Sequence, residues 1–177
     1  AIIGNTNAGK STLFNALAGK NRAIVSDIPG TTRDSIEYDI AEEGLFWQLI
    51  DTAGLRETTD VIEHQGIIRS LDEALRADII LLVVDSSQPL SQDDLKKYQE
   101  LLLDYGKKII VVKNKQDLAI SEQTNDPLIT SNIPKIPVVT TNAKEAQGTQ
   151  ELKQAIQHKI KMLFNQLDSP YLLNQRQ

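Results

Sequence analysis

The sequence predicts an α/β domain, in which a mostly parallel six-stranded sheet with one antiparallel edge strand carries helices on both faces. Residues 78–85 and 108–114 are rich in β-branched side chains and apolar on both faces, as buried parallel strands require. Helical patterns alternate with such runs, at about 63–76, 92–104 and 149–166. This alternation indicates strands joined by crossover helices.

The remaining strands follow from shorter patterns. The apolar residues 1–3 precede a glycine-rich loop and a helical pattern, so they form the first strand. Residues 35–41 and 46–51 predict an antiparallel hairpin with Gly44 in its turn, which supplies the antiparallel edge. A shorter strand is expected at 136–140.

Composition excludes several classes of function. The 177 residues carry a net charge of −5, which argues against a nucleic-acid-binding surface and therefore against a tRNA-binding module. There is no cysteine, so disulfides, thiol catalysis and cysteine-bound zinc are excluded within this stretch. The longest apolar run, 79–84, is far shorter than the roughly 20 residues of a membrane span. We therefore expect no membrane association and a cytoplasmic location.

The glycine-rich loop carries a phosphate-binding motif. The segment "GNTNAGKS" (residues 4–11) fits G-x-x-x-x-G-K-[ST] between a strand and a helix. Its backbone amides and the helix N-terminus attract phosphate oxygens, while Lys10 reaches the β- and γ-phosphates and Ser11 gives its hydroxyl to Mg²⁺. The predicted nucleotide-binding residues here are Asn5, Asn7, Ala8, Gly9, Lys10, Ser11 and Thr12.

A second motif predicts guanine as the base. In "NKQD" (114–117), the Asp117 carboxylate can accept hydrogen bonds from both N1–H and the 2-amino group of guanine, which adenine cannot offer. Asn114 and Lys115 are expected to bind the nucleotide as well. The looser segment "TTNAK" (140–144) adds Asn142, Lys144 and Ala143, whose backbone N–H is expected to reach the guanine carbonyl. The nucleotide is therefore GTP and not ATP.

Two further segments predict sensors of the γ-phosphate. In "PGTTRD" (29–34), the Thr32 hydroxyl completes the Mg²⁺ shell only when that phosphate is present. Asp51, in "DTAG", holds Mg²⁺ through water, and the N–H of Gly54 contacts the γ-phosphate. Leu55 follows, where a Ras-like switch carries a glutamine that orients the attacking water. Either hydrolysis is lost, or another group supplies the catalysis.

Taken together, "GNTNAGKST", "GTTRD", "DTAGLRETTDVIEHQG" and "NKQD" resemble the G domain of the bacterial tRNA-modification GTPase family MnmE/TrmE, over nearly the whole chain. The most diagnostic feature is the spacing of Asp60, Glu63 and Gly66 after "DTAGLR". The resemblance implies a Ras-like P-loop GTPase domain over residues 1–166, with its first strand clipped. Residues 167–177 are then an exit segment that leads to a missing domain of the parent protein.

The resemblance also implies a catalytic residue and a second cation. Members of this family lack the glutamine and use a glutamate that matches Glu63; from the residues alone, Glu63 is equally well a first-turn helix residue. An asparagine matching Asn7 helps to bind an activating K⁺, together with carbonyl groups that correspond to Ser26 and Ile28, with Thr31 nearby. The alternative for Asn7 is a turn-capping role.

The implied partners extend beyond this chain. In the family, two G domains meet through their switches as a homodimer, and the parent protein modifies the wobble uridine of certain tRNAs with a flavin-containing partner protein. Contact with tRNA would come from other domains. Two alternatives remain: a ribosome-assembly GTPase of the same class, and a GTP-binding scaffold with little turnover.

Overall fold

The computed structural model of the chain describes residues 1–19, 36–42, 44–51, 76–119, 128 and 135–167. Within them lies one six-stranded sheet, which confirms the predicted α/β fold. Its strands are β1 (Ile2–Gly4), β2 (Ile36–Glu42), β3 (Leu45–Asp51), β4 (Ile80–Asp85), β5 (Ile109–Asn114) and β6 (Val138–Thr140). The α-helices are α1 (Lys10–Ala18), α2 (Gln92–Tyr105) and α3 (Thr149–Leu167), and a short 3-10 helix spans Gln116–Leu118.

The strands lie in the order β2-β3-β1-β4-β5-β6, with β1 near the centre. Every neighbouring pair is parallel except β2 and β3. These two form the predicted hairpin, in which Glu42 lies opposite Leu45 and Gly44 turns the chain at φ 78°. The single antiparallel edge strand is therefore confirmed.

Each face of the sheet packs against its own helices. Successive residues of β4 alternate between two apolar clusters, because neighbouring side chains of a strand lie on opposite faces. Leu81 and Val83 pack with α1 and α3, whereas Ile80 and Leu82 pack with α2. Both faces are thus buried, as the continuous apolar runs predict.

The helices begin close to their predicted positions. Ser91 caps α2, and its hydroxyl accepts a hydrogen bond from the Asp94 N–H at 3.1 Å. The start of α3 follows Gly148, whose φ of 73° and close approach to the carbonyl of Thr140 leave no room for a side chain. The helix expected at 63–76 lies outside the described residues except for Arg76, and residues 168–177 lie outside them altogether. Among the described helices, none combines the length and the apolar composition that crossing a membrane requires.

Candidate nucleotide-binding site

The residues of interest gather where the parallel strands end. Gly4, Asp51, Asp85, Asn114 and Thr140 are the last residues of five strands that run in the same direction. The carboxyl ends of these strands therefore share one edge of the sheet, where open α/β sheets bind their ligands. The phosphate motif lies at this edge, and so do the two segments predicted to recognise the base, 114–117 and 140–144, which we call the base-reading segments.

The phosphate loop, residues 4–11, is shaped by its backbone. Asn7 and Gly9 adopt left-handed conformations, with φ of 60° and 90°. A Cβ atom on Gly9 would collide with the side-chain amide nitrogen of Asn114, so both the conformation and the available space require glycine. The N–H of Ala8 donates to the carbonyl of Asn5 at 3.2 Å, which closes the turn.

Lys10 places a positive charge inside this loop. Its Nζ donates to the carbonyl oxygens of Gly4 and Asn5, at 2.9 Å and 2.8 Å. Lys10 is also the first residue of α1, whose N-terminal N–H groups and dipole favour anions. Ser11 and Thr12 follow in the first turn, Ser11 half-buried and Thr12 exposed. The loop can therefore hold a phosphate chain.

Asn5 makes a contact that the motif does not predict. Its backbone N–H donates to the hydroxyl of Tyr98 at 2.9 Å, and that hydroxyl donates to Asn5 Oδ1 at 2.7 Å. Burial raises the pKa of Tyr98 to about 12, and a hydrogen bond from Asn5 opposes the rise. The tyrosine therefore stays protonated and able to donate. The only sequence signal for Tyr98 is its helical spacing from Leu101 and Leu102, which marks a buried position.

Asn114 connects the phosphate loop to the second base-reading segment. Its buried side chain donates from Nδ2 to the carbonyl of Ala8 at 3.0 Å. Its Oδ1 accepts from the Thr141 hydroxyl at 3.1 Å and from the Ala143 N–H at 3.0 Å. The Ala143 N–H, predicted to reach guanine, thus donates to Asn114 in this structure. Sequence reasoning missed Thr141.

Lys115 is held by a carboxylate that the sequence analysis also missed. Its Nζ lies 2.7 Å from Asp85 Oδ2, and its backbone is left-handed, with φ 58°. Asp85 also accepts from the N–H and the hydroxyl of Ser87, at 2.8 Å and 2.6 Å. Burial raises the pKa of Asp85, but the hydrogen bonds from Lys115 and Ser87 outweigh it and hold that pKa below its ordinary value. The signal for Asp85 is a carboxylate that ends a buried strand.

Asp117 remains open to a ligand. It lies exposed in the 3-10 helix, and within the described part of the chain no hydrogen bond engages its carboxylate. A cavity of about 610 Å³ opens beside it and is also lined by Asn142 and Thr141. Asn142 is buried and its N–H donates to the Gln147 carbonyl at 3.1 Å, whereas Lys144 is exposed. An acceptor thus faces a space where a base can lie.

Part of the predicted site cannot be placed. The backbone of Asp51 pairs with Ile2 beside the phosphate loop, but its side chain is outside the described residues. Six further residues of the predicted site lie entirely outside the described residues: Ser26, Ile28, Thr31, Thr32, Gly54 and Glu63. The proposed Mg²⁺ ligands Ser11, Thr32 and Asp51 offer hydroxyl and carboxylate oxygens, the donors that this ion prefers.

Comparison with protein families identifies GTPases. A family model described as "50S ribosome-binding GTPase" matches residues 1–115. Among curated proteins, the tRNA modification GTPase MnmE of Lachnoclostridium phytofermentans is 42% identical over 179 residues, covering 99% of this chain and 37% of that protein. MnmE of Bacillus velezensis is 44% identical over 157 residues, with 88% and 33% coverage. The chain thus spans well under half of the relatives' length.

Solved structures share the fold. The G domain of the T. maritima iron transporter FeoB is similar at a TM-score of 0.60 and 30% identity, covering 90% of this chain and 96% of that one. Era from Aquifex aeolicus, bound to GDP·AlF4⁻, is similar at a TM-score of 0.62 and 29% identity, covering 89% of this chain and 55% of that one.

Proposed function

This chain belongs to the 50S ribosome-binding GTPase family, as a G domain of the MnmE/TrmE tRNA-modification GTPases, and we propose that it hydrolyses GTP at the carboxyl edge of its sheet. The observation that carries the proposal is the Asn114 side chain. It hydrogen-bonds to Ala8 in the phosphate loop and to Ala143 in a base-reading segment. One molecule that has both phosphates and a base fits such a joined site.

The nucleotide is bound at both of its ends, the phosphates and the base. Its phosphates occupy the loop at residues 4–11, where the Lys10 ammonium exchanges its carbonyl partners for β- and γ-phosphate oxygens. Its guanine pairs with the exposed carboxylate of Asp117. The N–H of Ala143 reaches the guanine carbonyl only by sharing or giving up its bond to Asn114. Asn142 and Lys144 flank the base.

The same residues would hold Mg²⁺ beside the phosphates. Ser11 and Thr32 would offer hydroxyl ligands to this ion, and Asp51 would hold it through water. When bound, this ion neutralises charge on the phosphate oxygens. The N–H of Gly54 would contact the γ-phosphate. The two segments that carry Thr32 and Gly54, which are the switches of this domain, would thereby sense the presence of that phosphate.

Glu63 supplies the group that Leu55 cannot. A carboxylate orients the attacking water directly or through a second water, and phosphoryl transfer depends mainly on such positioning and on charge stabilisation. K⁺ would be held by Asn7, which is exposed on the loop, by the carbonyl groups of Ser26 and Ile28, and near Thr31. This charge would take the place of an inserted arginine.

The wider role belongs to the longer protein. Residues 1–166 act as its G domain. Two G domains pair through their switches, and GTP hydrolysis drives modification of the tRNA wobble uridine in the cytoplasm, together with a flavin-containing partner. The tRNA binds to other domains, consistent with the net charge of −5 here.

A ribosome-assembly role is the second candidate, because the matching family model is described by ribosome binding. The spacing of Asp60, Glu63 and Gly66, together with more than 40% identity to MnmE relatives, favours tRNA modification. A GTP-binding scaffold with little turnover is the third candidate, and a measurement of GTP hydrolysis distinguishes it from the other two.

The test is GTP hydrolysis in KCl and in NaCl, with Glu63→Ala and, as a matched control from the same segment, Glu57→Ala. We expect K⁺ to raise the rate, Glu63→Ala to abolish most of it with GDP binding intact, and Glu57→Ala to leave it near wild type. Equal rates in both salts would remove K⁺ from the mechanism. A rate unaffected by Glu63→Ala would remove the glutamate, and negligible turnover in every condition would favour the scaffold.

A further inference from the structure

The hydroxyl of Tyr98 closes a ring with one residue of the phosphate loop. It accepts from the N–H of Asn5 and donates to the same residue's Oδ1. These two bonds fix both the peptide and the side chain of Asn5 from a helix that is remote in sequence. Either bond alone would hold only the peptide or only the side chain, whereas the pair holds both.

The same residue also holds the lysine of the loop. The carbonyl of Asn5 accepts from Lys10 Nζ at 2.8 Å, and it also accepts from the N–H of Ala8 at 3.2 Å. Asn5 is therefore bonded on one side to Tyr98 and on the other to the charge that meets the phosphates. A rotation of its peptide would move the carbonyl that holds Lys10.

Tyr98 is well suited to a fixed role. It is 8% exposed, and it lies on the buried face of α2 with Leu101 and Leu102, which pack against the sheet. The helix is anchored by this packing and by its Ser91 cap, so the hydroxyl has a rigid base. Rigid support is what a site needs in order to hold its contacts in a productive geometry.

We propose that Tyr98 is a positioning residue for nucleotide binding, which acts through Asn5 to set the carbonyl groups around Lys10. The proposal rests on the proposed GTP site. It assigns the side chain of Asn5, predicted from the motif to bind nucleotide, to the support of the loop. The alternative is that Tyr98 serves only the packing of α2.

The experiment measures GDP affinity of the 177-residue chain with a fluorescent GDP analogue, for Tyr98→Phe and for Tyr105→Phe. Tyr105 lies two turns further along α2, partly buried in the same cluster, and no hydrogen bond of its hydroxyl occurs within the described residues. We expect Tyr98→Phe to weaken binding about tenfold, as the loss of a buried hydrogen-bonded group does. Tyr105→Phe should stay within about twofold, because it removes no such bond.

Stoichiometry and a double-mutant cycle separate positioning from packing. A positioning role leaves one GDP site per chain and raises the dissociation constant. A packing role lowers the melting temperature or the fraction of competent chains at an unchanged dissociation constant, and that result would overturn the proposal. Asn5→Ala should add little to Tyr98→Phe, since the phenylalanine has already removed the bond to the Asn5 side chain; fully additive losses would also overturn the proposal.

The outcome distinguishes this proposal from the GTPase function. If the unsubstituted chain binds GDP and Tyr98→Phe binds it equally well, only the role of Tyr98 is lost. If the unsubstituted chain does not bind guanine nucleotides, both proposals are lost.

Discussion

The phosphate loop and the base-reading segments meet at one sheet edge but are built in different ways. The loop takes its shape from the backbone, with Asn7 and Gly9 at positive φ and carbonyl groups gathered around Lys10. The base-reading segments are held by side chains: Asn114 bonds across to both regions, and Asp85 fixes Lys115. Residues predicted in both regions to bind nucleotide therefore also make hydrogen bonds that hold the site together.

The largest expected effect is at Asn114, where the two regions join. Asn114→Ala would leave the buried groups of Ala8, Thr141 and Ala143 without their partner. Each unsatisfied buried group costs about 1–3 kcal/mol, so we expect the free energy of unfolding to fall by about 3 kcal/mol or more, with loss of GDP binding. Urea denaturation measures the change. The exposed neighbour Gln116→Ala serves as control, and a loss below about 1 kcal/mol at Asn114 would contradict the bridging role.

A smaller effect is expected from Gly9→Ala, which tests the backbone-built region. An alanine at this position would be strained by the positive φ, and its Cβ would collide with the side-chain amide of Asn114. Together these effects should lower the free energy of unfolding by about 2–3 kcal/mol. Gly44→Ala, at φ 78° in the hairpin, has no atom within 4 Å of the added Cβ and isolates the conformational cost of about 1 kcal/mol. Thermal unfolding of the pair measures the difference. Equal losses would show that the contact with Asn114 does not constrain the loop.

Asp85→Asn should cost about 1 kcal/mol near neutral pH, because it removes the ion pair with half-buried Lys115. The pKa of Asp85 is depressed below the ordinary 3.8, so the stabilisation is present above pH 3.8 and is lost as pH falls through the lower, folded-state pKa. The difference between wild type and Asp85→Asn should therefore shrink below about pH 4. Denaturation at pH 7 and pH 3 tests this, with the exposed Asp104→Asn as control. A difference that does not depend on pH would remove the charge from the explanation.

Asp117→Ala should have the smallest effect on stability and a large one on specificity. The side chain is exposed, so the free energy of unfolding should change by less than about 0.5 kcal/mol. The preference for GDP over ADP should fall by at least about tenfold, because the acceptor for two guanine donors is lost. Competition binding with both nucleotides measures the preference. An unchanged preference would move guanine recognition elsewhere.

Much of the fold follows from sequence because its patterns are local. The runs that became β4 and β5 are apolar on both faces, and Gly44 marks the hairpin turn. The site was predictable only as far as its motifs reach. Tyr98 and Asp85 were not predicted as site residues, because their roles depend on contacts between distant segments, which no local pattern encodes.

The motif also did not reveal what Asn114 does within the protein. The sequence assigned it to the nucleotide, whereas its hydrogen bonds in the structure go to Ala8, Thr141 and Ala143. Glu63 and the K⁺ ligands Ser26, Ile28 and Thr31 lie outside the described residues, so their roles stay predictions, as does the binding of K⁺ by Asn7.

The place of β1 in the sheet has a kinetic consequence. Ile2 pairs with Asp51 on one side and Leu81 on the other, so β1 cannot settle until two remote segments have arrived. Such non-local pairings form slowly, whereas the β2–β3 hairpin closes through a tight turn. The phosphate loop leads directly out of β1. During refolding, capture of a nucleotide should therefore come late and should signal that the centre of the sheet is complete.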